Sequence, residues 1–277
     1  SPVRACIRHE NIIMAIDAVK SGAIGRVLTA RCYYTRFRPP IGRGKEAPVP
    51  EWLNYDLWQG PAPERPYRDN VIHYNWHWFW HWGNGELGNN GVHTLDLARW
   101  ALGLERPLRV TFGGGRYLAD DDQETPDTGV AAFDCGSVLV TWEQSSSHPR
   151  KGESLPLVAF YGEQGRLLLT DAGHKIFDND GKEVAQADSG LTPDVVRGPG
   201  GEIEHFGNLC AAIRDGAALN SDIEEGQKST MWCHYGNMAI RTRSMIHVDP
   251  ATGHVRDNPA AMALWKREYR PGWEPKL

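Results

Sequence analysis

Apolar positions along the chain follow a helical period at both ends and a strand-like alternation in the middle. In residues 11–20 they recur at 12, 13, 16 and 19, one face of an amphipathic helix that Ser21-Gly22 stops. Val27-Leu-Thr-Ala-Arg-Cys-Tyr-Tyr-Thr35 is β-branched and aromatic and predicts a strand. Apolar positions 92, 95, 98 and 102 predict a helix over 92–102, ended by Gly103. Between 108 and 190 the texture changes. Short runs at 108–112, 128–133, 137–144, 157–161, 166–170 and 175–177 read as strands. Cys135-Gly136, Gln164-Gly165 and Asp180-Gly181 read as hairpin turns between them. A Gly-, Pro- and Asp-rich loop is expected over 188–202, then helices over 204–215 and 224–245. Residues 249–277 form a polar tail strapped across the body, with Trp265, Tyr269 and Trp273. Strands clustered in sequence with helices outside them predict an α+β fold with a largely antiparallel sheet.

Residues 38–70 fit neither period. They carry Pro39, Pro40, Pro48, Pro50, Pro61, Pro63 and Pro66, and read as a long ordered loop pinned by Trp52 and Trp58. Loops of this length are often functional.

With 277 residues, 40% of them apolar and 23% charged, the chain has the composition of a packed globular protein. A net charge of −5 lacks the basic field of a nucleic-acid binder. No apolar run approaches the roughly 18–20 residues of a membrane span, and no signal peptide opens the chain. Five cysteines without a CxxC pair point to reduced thiols, hence a cytoplasmic setting. The 11 tryptophans change the picture most. Broad apolar faces with one donor each suit sugar rings, although a Trp-rich core explains them equally well.

Three constellations could carry chemistry. In Gly83-Asn-Gly-Glu-Leu-Gly-Asn-Asn-Gly-Val-His-Thr-Leu-Asp-Leu-Ala-Arg-Trp100 a glycine-rich turn meets a helix N-terminus. Asn89 and His93 share a helical face there, with Asp96 placed to orient the imidazole. A histidine near neutral pKa can exchange a proton with a carbinol. The rival reading is an asparagine cap and a structural histidine. The second constellation is His73-Tyr-Asn-Trp-His-Trp-Phe-Trp-His-Trp82. His73, His77 and His81 lie four apart and could hold zinc on a helix, with Glu86 or His93 completing the set. No HExxH signature supports that, and the interleaved Trp76, Trp78 and Trp80 suit a sugar-stacking wall. Asn75, His77 and Glu86 then serve as substrate contacts. Third, His205-Phe-Gly-Asn208 and His234-Tyr-Gly-Asn237 each place His and Asn three apart; His205 and His234 could bond hydroxyls. Asp120-Asp-Asp122 reads as a solvated turn. No GxSxG elbow and no GxGxxG turn after an early strand is found, and Gly113-Gly-Gly115 precedes a hairpin texture rather than a helix.

Several of these segments together resemble the Gfo/Idh/MocA oxidoreductases. Ser21-Gly-Ala-Ile-Gly-Arg-Val27 resembles the join between that family's Rossmann half and its sheet half. Asn75-Trp-His-Trp-Phe-Trp80 with the following glycine block is similar to its bacterial-type C-terminal substrate domain, as are Asp222-Ile-Glu-Glu-Gly226, His234-Tyr-Gly-Asn237 and Arg267-Glu-Tyr-Arg-Pro-Gly-Trp273. The resemblance implies a large, open, mostly antiparallel sheet with helices on one face and a second subunit, a homo-oligomer partner, on the other. Residues 1–26 would then be the remnant of the helix and linker after a Rossmann domain, and 27–277 the substrate-binding and oligomerisation domain. It also implies that Asn89 and His93 reach the substrate. Many relatives carry Asp at the position of Asn89; Asn cannot take a proton, so only orientation carries over. The family's Glu-Lys-Pro motif is not found. The expectation is therefore the sugar-binding half of an oxidoreductase acting on a pyranose, keto-sugar or glycoside. No cofactor is expected on this chain alone, and NAD(P) only if a Rossmann half is supplied. Two alternatives stand: a cofactor-independent carbohydrate enzyme (glycosidase, lyase, hydratase or epimerase) using His93 as acid/base, and a non-catalytic carbohydrate-binding subunit.

Overall fold

The computed structural model describes residues 10–170, 173–188 and 199–276. Its centre is a ten-stranded sheet. In chain order the strands are β1 (Val27–Thr35), β2 (Arg109–Gly115), β3 (Thr128–Asp134), β4 (Leu139–Ser145), β5 (Val158–Gly162), β6 (Gly165–Thr170), β7 (Gly173–Phe177), β8 (Glu183–Asp188), β9 (Ile246–Val248) and β10 (Val255–Arg256). In space they run β10-β9-β2-β3-β4-β1-β5-β6-β7-β8. Two antiparallel meanders, β2 to β4 and β5 to β8, are joined through β1. β1 pairs parallel with β4, from Thr29 opposite Leu139 to Thr35 opposite Ser145. It is the one parallel neighbour among the described strands. The expected α+β class, with a large, mostly antiparallel sheet, is what forms.

Period-two burial explains which face carries the helices. Ala30 and Cys32 of β1, Ala131 and Phe133 of β3, and Val140 and Trp142 of β4 are all buried on one side. Against them pack α1 (Glu10–Lys20), α3 (Val92–Leu102) and α5 (Ile223–Thr242), through Ile16, Leu95, Ala98, Trp232 and Ala239. Trp232 stacks on Phe133 with ring centroids 5.1 Å apart. The opposite face stays open, with Arg31, Val130 and Leu139 exposed. α1, the expected Rossmann remnant, supplies Ile12, Ala15, Ile16 and Val19 to the same core.

Four expectations change. Strands β8, β9 and β10 were not predicted: β9 and β10 span three and two residues, too short for alternation to register. The helix expected over 204–215 begins at Pro199 (α4, Pro199–Asp215), inside the expected 188–202 loop; residues 189–198 of that loop lie outside the described residues. α5 stops at Thr242, not 245, because Arg243 takes a left-handed conformation (φ 51°) that ends the hydrogen-bond ladder. The long loop contains a short helix, α2 (Tyr55–Gln59), capped by the Asn54 side chain accepting from the Leu57 N–H.

That loop is held differently from expectation. Trp58 does pack, against Tyr55 and Trp82. Trp52 is 64% exposed and stacks only on His73. The anchors are instead two aspartates read as solvated. Asp121 accepts from the Ile41 N–H, and Asp122 from the Gly44 N–H, Arg68 and Asn70. Only Asp120 stands in solvent. The tail straps the same loop, as expected: Arg270 pairs with Asp56 at 2.9 Å, and its N–H reaches the Pro61 carbonyl.

Two neighbouring glycines of β2 should respond oppositely to alanine. A methyl at Gly114 would meet the Thr128 carbonyl oxygen at 2.4 Å, whereas one at Gly113 meets nothing within 4 Å. Gly114→Ala is expected to cost roughly 1–3 kcal/mol in urea unfolding and Gly113→Ala nothing measurable. Equal midpoints for the two variants would contradict this packing.

Candidate functional site

The site begins where β1 leaves the sheet. The Arg38 N–H bonds the Ser146 carbonyl, which fixes the chain beyond the strand. The Arg38 guanidinium pairs with Glu86, donates to the Tyr34 hydroxyl at 2.9 Å, and lies 5.1–5.8 Å from the ring centroids of Trp78, Tyr74 and Tyr34. Glu86 has no exposed side-chain surface, and its second oxygen accepts from Asn90. Burial raises the Glu86 pKa above the ordinary carboxylate range, although Arg38 pulls the other way. For Arg38 burial lowers the pKa, but Glu86 more than offsets it and the net shift is upward.

The glycine turn meets helical backbone earlier than the expected start at residue 92. The chain turns at Gly85 (φ 69°), where a side chain would strain the backbone and meet Thr125. Helical backbone then runs from Glu86, through a π-type turn at Leu87–Gly91, into α3. The Val92 N–H bonds the Leu87 carbonyl, so the donors expected to be free at residue 92 are used inside the helix. The wider turn keeps Asn89 and His93 about one turn apart. π-turns of this kind recur at functional sites.

Around this anchor the structure gathers some of the expected residues. Asn89 donates to the Tyr74 hydroxyl at 3.2 Å. His77 Nδ1 lies 2.6 Å from the Tyr74 carbonyl, so Nδ1 carries the proton and Nε2 is the acceptor. Burial lowers the His77 pKa, which favours that neutral form. Trp76 stacks on the His77 ring at 3.7 Å. His93 follows, half-buried, at the start of α3.

Other expected residues are placed elsewhere. Asp96 is buried and accepts from Ser229 at 2.6 Å, in a network with Arg99 and Glu225 that joins α3 to α5. Glu86 is a buried anchor rather than a substrate contact, because both of its oxygens are taken. Asn75 donates to the Asn70 carbonyl. Trp78 is buried under Arg38, while Trp80 packs beside Arg241. His205 sits on α4 with its ring edge toward Phe206. His234 lies on α5, its pKa lowered by burial; its neighbour Asn237 donates to the Asn84 carbonyl and ties α5 to the glycine block. The three spaced histidines do not converge: His73 stacks on Trp52, His77 bonds Tyr74, and His81 Nε2 meets the Pro63 carbonyl. Among the described residues no group of three potential ligands is clustered for a metal.

Sequence reasoning missed Arg38, Tyr34 and Tyr74. The available signal was an arginine four residues after a strand tyrosine, running into Pro39-Pro40. Nothing in that spacing names its buried partner.

Comparison with known proteins supports the family resemblance. Residues 41–125 match the Gfo/Idh/MocA model described as oxidoreductase family, C-terminal alpha/beta domain. A search of curated proteins finds no sequence match. Among solved structures, an oxidoreductase domain protein from Kribbella flavida aligns with a TM-score of 0.62 at 15% identity, over 90% of this chain and 64% of that one. The WlbA dehydrogenase from Bordetella pertussis, solved with NADH and UDP-GlcNAcA, aligns at 0.56 and 16% identity, over 87% and 60%. An Agrobacterium radiobacter oxidoreductase, solved with NAD+, L-tartaric acid and magnesium, aligns at 0.55 and 14%, over 86% and 61%. At these identities the likeness establishes the fold. The chain spans 60–64% of the length of these three structures.

Removing one member of the buried pair should cost more than removing both. Arg38→Met leaves Glu86 without its countercharge and is expected to destabilise by about 3–5 kcal/mol, and the double variant Arg38→Met/Glu86→Gln by less. The pH dependence has a defined sign. Glu86 is raised in the folded state, so the folded protein binds the extra proton, and stability falls as pH climbs from the unfolded carboxylate value of about 4.3 through the raised folded one. Glu86→Gln should flatten that part of the profile in urea titrations at stepped pH; an unchanged slope would refute the assignment.

Proposed function

We propose that this chain is the substrate side of a sugar oxidoreductase acting on a pyranose, keto-sugar or glycoside. The observation that carries the reading is the joining of Tyr74, His77 and Asn89 above the buried Arg38–Glu86 pair, one helical turn from His93. The family match over residues 41–125 and the oxidoreductase fold support it. Trp76, one face of which stacks on His77, would offer its other face to the CH face of a ring. His77 Nε2 accepts from a hydroxyl. Asn89 orients the reacting hydroxyl and cannot itself take the proton. His93 exchanges that proton with the carbinol.

A nicotinamide would supply the hydride acceptor. The residues present do not fit it: Gly113-Gly-Gly115 runs as a strand paired with β3 down to Thr128, not as a turn into a helix, and offers no phosphate cradle. The cofactor is therefore assigned to residues other than those described. The open sheet face, where Val130 and Leu139 are exposed beside the Arg31–Glu143 pair, is assigned to a second copy of the chain.

Two measurements test this. A panel of pyranoses, keto-sugars and glycosides is assayed by calorimetry for binding and, with NAD+ or NADP+ and the nucleotide-binding half present, by nicotinamide absorbance for turnover. His93→Ala should keep binding and lose turnover by about 10²–10⁴-fold; turnover equal to wild type removes His93 from the chemistry. For the open face, analytical ultracentrifugation should show a dimer or larger species that Val130→Glu shifts toward monomer. A monomeric wild type at high micromolar concentration would end that assignment.

A further inference from the structure

A groove of about 650 Å³ runs along β2, away from the Arg38 anchor, and no part of the proposed reaction uses it. Its floor is a bare strand edge. β9 pairs with β2 only at Arg109 and Val110, so on that side residues 111–115 have no strand partner among the described residues. Backbone N–H and C=O groups along such an edge remain available to a ligand's hydroxyls. Trp80, Pro126 and Met245 give the groove an apolar side. Its size falls in the range of small-molecule sites.

The other side is cationic. Arg241 and Arg243, at the end of α5, both line the groove, and neither forms a salt bridge among the described residues. Arg241 lies 5.0 Å from the Trp80 ring centroid. Stacking engages the flat face of a guanidinium and leaves its N–H edge for a carboxylate or phosphate. Partial burial lowers the Arg241 pKa, and the Glu124 carboxylate in the same groove offsets that only in part. Arg243 is held at φ 51°, a conformation that favours glycine, so a long cationic side chain is kept where the backbone would prefer none. Glu124 is the opposing charge in the groove; its carboxylate accepts from the Trp80 N–H at 2.7 Å and so fixes that ring's backbone. The third arginine, Arg116, is already spent on Asp121, Asp127 and the Ala119 carbonyl.

We propose that this groove binds a small sugar anion, its carboxylate or phosphate held by Arg241 and Arg243 and its hydroxyls by the free edge of β2. The site is distinct from the His93 constellation. None of Tyr74, His77, Asn89 and His93 lines the groove; Trp80 does, two residues beyond the Trp78 that lies under Arg38. The inference therefore stands whether or not the chain oxidises anything.

Calorimetric titration of the full chain with D-glucuronate, D-glucose 6-phosphate, D-glucose and inorganic phosphate tests it. At least one of the two sugar anions should bind, and whichever is tighter names the anionic group. Glucose and inorganic phosphate should each bind at least tenfold more weakly than that anion. Arg241→Gln and Arg243→Gln should each weaken it by about tenfold or more, the second without touching the Trp80 stack. Thermal melts by circular dichroism confirm that the variants fold. No heat with either sugar anion, glucose or phosphate binding as tightly, or full affinity in a folded Arg243→Gln would each overturn the proposal.

Discussion

A carboxylate removed from water must find a cation, and in this chain that requirement joins the first strand to the central helix. Glu86 stands at the start of helical backbone with no exposed surface, and Arg38 reaches it from the exit of β1. Desolvation of both charges cancels much of their attraction, so the pair contributes little net stability as a unit. It contributes register. With Glu86 bound to Arg38 and Asn90, the π-type turn has one rotational setting, and that setting carries Asn89 to Tyr74 and starts α3 at Val92 with His93 one position on. Three aromatic rings around the guanidinium keep water from competing for it.

The fold was legible where burial is periodic. Strand β1 and helix α3 fall on the predicted residues because each alternates or repeats against a continuous core. The hairpin turns at Cys135-Gly136 and Asp180-Gly181 were readable from residue type alone. What escaped was structure stabilised by partners rather than by local pattern. β9 and β10 exist because a neighbouring strand offers hydrogen bonds, and their own sequences are too short to declare a period. The acidic triplet at 120–122 looked like a solvated turn, yet two of its members fasten a loop 52–80 residues away in sequence. Local composition cannot distinguish a solvated carboxylate from one that receives backbone N–H groups.

The candidate site was legible in parts for the same reason. Asn89, His77 and Trp76 were found by residue type and spacing; the fold brings Asn89 and His77 to Tyr74 and stacks Trp76 on His77. The expected tryptophan wall is not one surface. Asn75–Trp78 form a short 3-10 helix and Phe79 is extended, so successive rings leave the backbone in different directions. Trp76 reaches His77, Trp78 goes under Arg38, Trp80 meets Arg241 and Trp82 meets Trp58. A run of like side chains thus serves four environments. Asp96, placed by spacing beside His93, gives one oxygen to Ser229, because the inner face of α3 must satisfy its polar groups against α5.

The arginines extend the same principle across the molecule. Three guanidinium groups drawn into the protein each meet a carboxylate: Arg38 with Glu86, Arg99 with Glu225, and Arg116 with Asp121. The long loop and tail do the same at their surface, through Arg68 with Asp122 and Arg270 with Asp56. Arg241 and Arg243 are exposed, form no salt bridge among the described residues, and line the strand edge that β9 leaves uncovered. A single unmatched cation on a surface means little, since exposed ion pairs are worth little either way. Two of them facing one groove, one steadied by an indole and the other held in a backbone conformation better suited to glycine, concentrate positive potential where backbone donors and acceptors also go unused. Glu124 is the one carboxylate lining the groove among the described residues, and the proposed anion would add the negative charge that Arg241 and Arg243 leave unmatched.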